Sequence, residues 1–112
     1  MNLLRDLPLR RADQSIHMVV ESPRGSAIKL KYTGGRFEWS RPLCLGLTFP
    51  FDFGFLPQTL APDGDALDAM LLTDVASFPG VVVPGRVVGA LKVEQTRDGQ
   101  PPRRNDRIMM VP

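Results

Sequence analysis

The sequence predicts a mainly β protein, a small, closed or nearly closed Greek-key barrel. Ten glycines and eleven prolines among 112 residues interrupt the chain too often for long helices. Between them lie short runs rich in Val, Ile, Phe and Leu, several with the two-residue alternation of a half-buried strand. Roughly five to seven such strands around one small core suit a barrel, which removes exposed sheet edges.

Residues 1–14 show no clean period. We expect an N-terminal arm over 1–15, with Arg10 and Arg11 solvated or in a short helical turn, and a barrel domain over 16–112. "IHMVVE" (16–21) is β-branched and apolar, and "SPRGS" closes it with turn chemistry. "AIKLKY" (27–32) alternates, placing Lys29 and Lys31 on one face. Gly34-Gly35 is a hairpin turn, and "RFEWS" (36–40) returns beside it. In "FPFDFGFLP" (49–57), Phe49, Phe51, Phe53 and Phe55 stand two apart, as a core stripe would, although Pro50 and Gly54 limit regular pairing. "LDAMLL" (67–72) reads as a strand with Asp68 at its entrance. "FPGVVVPGRVVGALKVEQ" (78–95) reads as strand, Pro-Gly turn, strand. Asp98-Gly99 and Pro101-Pro102 mark a loop, and "RIMMVP" (107–112) closes the fold.

Cys44 is the only cysteine, which excludes a disulfide framework and a cysteine metal cluster. In "PLCLGL" it is expected to be a small buried hydrophobe. His17, the only histidine, lies on an apolar strand and is expected to be structural. The N-terminus has no continuous apolar run, so no signal peptide is read. No stretch approaches the ~18 apolar residues of a membrane helix. A cytoplasmic protein without membrane partners is the simplest expectation.

The net charge of +2 is too small to indicate nucleic acid, but its distribution is informative. Residues 42–85 contain Asp52, Asp63, Asp65, Asp68 and Asp74 and no Lys or Arg. Arg24, Lys29, Lys31, Arg36 and Arg41 come just before. An acidic centre with basic flanks is what a cation and a polyanion together require.

The stretch "LAPDGDALDAML" (60–71) crowds Asp63, Asp65 and Asp68. Helical spacing would not gather them, whereas a turn entering a strand would. Their repulsion is offset by a hard dication, and Mg²⁺ prefers carboxylate, water and phosphate oxygens. The calcium-loop pattern is not met. Metal-assisted attack of water on a phosphoryl group follows as the natural chemistry.

"DGDALDA" resembles the signature of the soluble inorganic pyrophosphatases with an OB-like barrel, although Ala66 replaces the usual proline or glutamate. "VVESPRGS", "IKLKY", "FPFDFGFLPQTLAPDGDALDAMLL", "PGRVVGALK" and "NDRIMMVP" fall in that family's order over roughly residues 16–112. The resemblance implies an OB-like barrel, Mg²⁺ and pyrophosphate or another phosphate compound as ligand. It implies Asp63, Asp68 and Glu21 as metal-site residues. Asp65 resembles the carboxylate that orients and deprotonates water, and Lys29 and Arg41 resemble the cations that hold phosphate oxygens.

The departures are equally specific. Phe49 and Phe53 replace tyrosines, Asp52 an asparagine and Lys31 a glutamate. Gln95 and Thr96 match a pair of acids, and Asn105 matches a metal ligand. Asp106 is one step away, on the opposite face of a strand, and Asp98 substitutes only if the loop 96–104 folds back. The family continues past the position of Pro112 into further strand and helix, so the expected barrel lacks its C-terminal helices.

Three readings follow. One is a weakened Mg²⁺-dependent inorganic pyrophosphatase. A second is a degenerate homologue that binds metal or phosphate compounds without turnover. The third, an OB-type nucleic-acid binder helped by Arg97, Arg103, Arg104 and Arg107, is disfavoured because only Tyr32 and Trp39 offer stacking rings outside the Phe stripe. Apolar barrel surface left bare where the family's C-terminal part packs implies a homo-oligomer.

Overall fold

The computed structural model describes residues 1–96 and 98–112, and every side chain among them except those of Gln95 and Arg103. Among the described residues nine strands follow in order: β1 (Ile16–Ser22), β2 (Ile28–Thr33), β3 (Arg36–Pro42), β4 (Asp52–Phe55), β5 (Asp68–Leu71), β6 (Val82–Leu91), β7 (Glu94–Gln95), β8 (Arg103–Arg104) and β9 (Arg107–Val111). No helix occurs among the described residues, so none there is long and apolar enough to cross a membrane. Arg97, named above as a basic residue of a nucleic-acid surface, lies outside the described residues, as do the side chains of Arg103 and Gln95.

Five strands close a barrel in the order β1-β4-β5-β9-β6, with β6 returning to β1. All neighbours are antiparallel except β5 and β9, which run parallel with Asp68 opposite Arg107. β9 inserts between β5 and β6, so the last strand of the chain completes the barrel.

β1 shows why the barrel has two apolar clusters. Successive strand residues point to opposite faces, yet Met18, Val19 and Val20 are all fully buried. Met18 packs with Leu56, Ala69, Leu71 and Met110. Val19 packs on the other face with Tyr32 and Phe55, covered by Leu3, Leu4 and Leu7 of the N-terminal segment and by Phe37. The β2–β3 hairpin turns through Gly34 and Gly35, with φ of 59° and 80°, and docks through Tyr32, whose ring lies 4.9 Å from Phe37 and 5.6 Å from Phe55. Burying one such ring stabilises by about 2 kcal/mol.

The register of β1 against β4 shifts between Val20 and Ser22. Glu21 is the extra residue of that bulge. A bulge bends the strand and re-aims a side chain, which is how an acidic residue leaves an otherwise apolar strand.

Three expectations are corrected. The Pro84-Gly85 pair is not a turn; β6 runs straight through it. Val82–Gly85 pair with β1 and Arg86–Leu91 pair with β9, so Pro-Gly marks the place where one strand changes partner. Gly85 permits this, because a Cβ there would lie 2.4 Å from the Val111 carbonyl oxygen. Cys44 is exposed rather than buried. It sits in the connection between β3 and β4, beside a fully exposed Leu45, where no second layer covers the short apolar run. Of the phenylalanine stripe only Phe55 joins the core; Phe49 and Phe53 pack on each other at 5.0 Å. Asp52, at the start of β4, is buried as well, 0% exposed. Its carboxylate accepts from the Arg24 N–H at 2.7 Å and from the Ser77 N–H and hydroxyl at 3.1 and 2.6 Å, bonds that offset its desolvation.

His17 is anchored structurally, its Nδ1 lying 2.6 Å from the Pro8 carbonyl oxygen. Flanking the expected loop, β7 and β8 pair antiparallel, Glu94 with Arg104 and Gln95 with Arg103.

Candidate functional site

One cavity of about 900 Å³ gathers Glu21, Lys29, Arg41, Asp63, Asp65 and Asp68. Each arrives by a different local device.

The aspartate loop is closed at its neck. The Leu56 N–H donates to the Leu67 carbonyl at 3.0 Å. The Thr59 hydroxyl donates to the Leu56 carbonyl at 2.7 Å and accepts from the Leu67 N–H at 2.9 Å. At its tip Gly64 has φ of 89°, and Asp63 Oδ1 accepts from the Asp65 N–H at 3.0 Å, a local turn bond typical of aspartate. Asp68 then starts β5, half-buried, with Oδ2 3.7 Å from Arg107 Nη1.

Glu21 leaves the β1 bulge, and its Oε2 accepts from the Tyr32 N–H at 2.6 Å. Lys29 and Lys31 share one face of β2, and Arg41 lies directly opposite Lys29 across the hairpin. Like charges so paired repel. Among the described residues neither they nor Lys31 makes an ion pair within 4.0 Å. The cavity thus presents unpaired cations to one side of its carboxylates.

Burial holds the Glu21 carboxyl above the usual range; the Asp68 charge adds to this, while the Tyr32 N–H, Lys29 and Lys31 oppose it. Asp68 is raised first by burial and further by Asp63 and Asp65, against Arg107 and Lys29. Repulsion within the aspartate cluster therefore acts as anticipated in direction but ranks below desolvation. Both charged forms are in need of a positive partner.

The donor chemistry fits a hard dication, since Glu21, Asp63, Asp65 and Asp68 line the cavity with carboxylate oxygens. The expected convergence of Asp63, Asp65 and Asp68 is not closed, however. Among the described residues no three His, Cys, Asp or Glu side chains sit close enough to hold one ion. Asp63 bonds within its own turn and Asp68 leans towards Arg107, which keeps the three on one wall without a common focus.

The departures separate into near and far. Lys31 and Asn105 line the cavity; Phe49, Asp52, Phe53, Asp98 and Asp106 do not. Asp106 turns away to Arg104 Nη2 at 2.9 Å and the Val93 N–H at 3.2 Å. Sequence reasoning missed Arg107 as the partner of Asp68, and missed Leu4, Arg5, Gln58 and Leu60, which also line the cavity. No local signal could have found Arg107, Leu4 and Arg5, because their proximity depends on β5–β9 pairing and on docking of the N-terminal segment, whereas Gln58 and Leu60 belong to the aspartate loop itself. Of the two aromatic candidates for base stacking, Tyr32 is buried and Trp39 stands exposed.

A closed five-stranded barrel in this strand order is of the OB type, and this one carries a cavity lined by both carboxylates and cations. The family described as inorganic pyrophosphatase matches residues 18–112. The chain is 43% identical over 99 residues to the inorganic pyrophosphatase of Thermus thermophilus, covering 86% of this chain and 57% of that protein. It is 35% identical to that of Synechocystis, covering 100% of this chain and 64% of the relative. The crystal structure of the Thermus thermophilus enzyme superposes with a TM-score of 0.84 at 38% identity, over 99% of this chain and 62% of that one. The Helicobacter pylori enzyme gives 0.82 at 30%, over 96% and 61%. This chain belongs to the inorganic pyrophosphatase family. It spans about six-tenths of the length of these relatives.

Proposed function

We propose that the cavity binds pyrophosphate with Mg²⁺ and supports its hydrolysis to phosphate at a reduced rate. The observation that carries this reading is the convergence of unpaired Lys29 and Arg41 with Asp63, Asp65, Asp68 and Glu21 on one cavity. In this reading Lys29 and Arg41 donate to phosphate oxygens, and Asp63, Asp68 and Glu21 hold the metal side. Bound Mg²⁺ would neutralise phosphoryl charge and acidify water. Asp65, exposed on the cavity rim, orients the attacking water and takes its proton. The reduced rate follows from Asn105, which lines the cavity with an amide where the resemblance implies a metal-ligating carboxylate. The reading carries with it a cytoplasmic location, self-association through exposed apolar barrel surface, and a division into an arm over 1–15 and a barrel domain over 16–112.

A second reading is favoured by the 3.7 Å approach of Arg107 to Asp68. An internal cation already faces a carboxylate of the metal side, so the site holds phosphate compounds or metal without turnover. Phosphate release from pyrophosphate with Mg²⁺ separates the two. Release that Asp65→Asn abolishes supports hydrolysis; binding without release supports the second reading.

A further inference from the structure

Gln58 has φ of 56°, in the left-handed region that residues with side chains enter only at a cost. A two-point grip on the N-terminal segment accompanies it. Its backbone N–H donates to the Leu4 carbonyl at 2.8 Å, and its Nε2 donates to the Arg5 carbonyl at 2.9 Å. The gripped segment is a self-capped turn. Asn2 Oδ1 accepts from the Leu4 and Arg5 N–H groups at 2.9 and 3.1 Å, and the Asn2 N–H donates to Asp6 Oδ2 at 2.8 Å. A further anchor is the buried Tyr32, whose hydroxyl accepts from the Leu3 N–H at 3.0 Å. Leu4 and Arg5 line the cavity described above. Among the described residues the Arg5 guanidinium makes no ion pair.

We propose that Arg5 is a further ligand-binding residue of the cavity and that Gln58 is the positioning residue that presents it. This rests on the reading of the cavity as a phosphate site. An exposed guanidinium keeps its hydration until a phosphate arrives, then gains forked, charge-assisted hydrogen bonds. Fixing the backbone of residues 4–5 beforehand removes part of the ordering cost of binding. A non-glycine residue in a left-handed conformation is tolerated where its surroundings over-determine it, and the grip on Leu4 and Arg5 is such a surrounding.

The test is calorimetric binding of methylenediphosphonate, whose bridging carbon resists hydrolysis, to the full chain with Mg²⁺. Arg5→Ala should weaken binding about tenfold. Gln58→Gly keeps a conformation that glycine adopts freely and removes only the side-chain half of the grip. It should bind several-fold more weakly while its Tm stays level or rises. The double variant should bind no more weakly than Arg5→Ala alone, because both changes remove one interaction. Unchanged affinity in Arg5→Ala overturns the binding role. An affinity loss in Gln58→Gly that merely tracks a fall in Tm, or no loss at all, overturns the positioning role. Wild-type binding kept by both variants defeats this inference alone, whereas no wild-type binding defeats the phosphate reading as well.

Discussion

Lys29 and Arg41 face each other as direct partners across the β2–β3 hairpin, with a register irregularity just after Lys29. Two cations in that relation repel, and both line the cavity that holds the aspartates. Removing either should leave the ligand-free Tm unchanged or raised. The same change should weaken pyrophosphate binding about tenfold, the loss of a charge-assisted contact. Melting curves and binding isotherms of Lys29→Ala and Arg41→Ala check this; a marked fall in Tm without ligand would show a structural role instead.

Mg²⁺ should stabilise the fold. With binding confined to the folded state, the gain is about 1.4 kcal/mol at ten times the dissociation constant and grows logarithmically beyond it. Asp68→Asn should remove the gain. Asp74→Asn should retain it, since Asp74 is exposed and lies 3.6 Å from Arg24 outside the cavity lining. A melt series over Mg²⁺ concentration in which both variants respond alike, or wild type does not respond at millimolar metal, would leave the aspartates without a metal role.

Without metal, the pH dependence has a definite sign. Glu21 and Asp68 are raised above 4.5 and 3.8, chiefly by burial. The folded chain then holds these protons more tightly than the unfolded one. Their stabilising contribution is complete below those ordinary values and is lost as pH climbs through the raised ones. Asp68→Asn should therefore gain stability relative to wild type as pH rises from about 4. Denaturant melts of both proteins across that range measure it, and a constant difference would contradict the burial argument.

Asp52 is the acidic residue expected to matter for folding rather than chemistry. Asp52→Ala strands the Arg24 N–H and both Ser77 donors near a buried site. The cost should be about 3 kcal/mol or more, read as a fall in denaturation midpoint. Destabilisation below 1 kcal/mol, on the order of an exposed hydrogen bond, would mean that water replaces the carboxylate.

The turn and strand pattern was legible in the sequence because neighbours encode it. Gly34-Gly35, the Asp63–Asp65 turn and the alternation of "IKLKY" each depend on residues a few positions apart. The segregation of aspartates from cations was equally visible, as was the family signature. Tertiary structure alone decided what depends on long-range register. Pro84-Gly85 has turn chemistry, yet pairing with β1 on one side and β9 on the other keeps β6 extended. Cys44 is exposed and Asp52 buried because burial depends on which layer lies opposite, and no residue beside them reports that. The cavity's own membership is the clearest case. Arg107 reaches Asp68 through a parallel strand pair and Arg5 reaches the same cavity through Gln58, contacts 39 and 53 positions apart in the chain, beyond the range of any local periodicity.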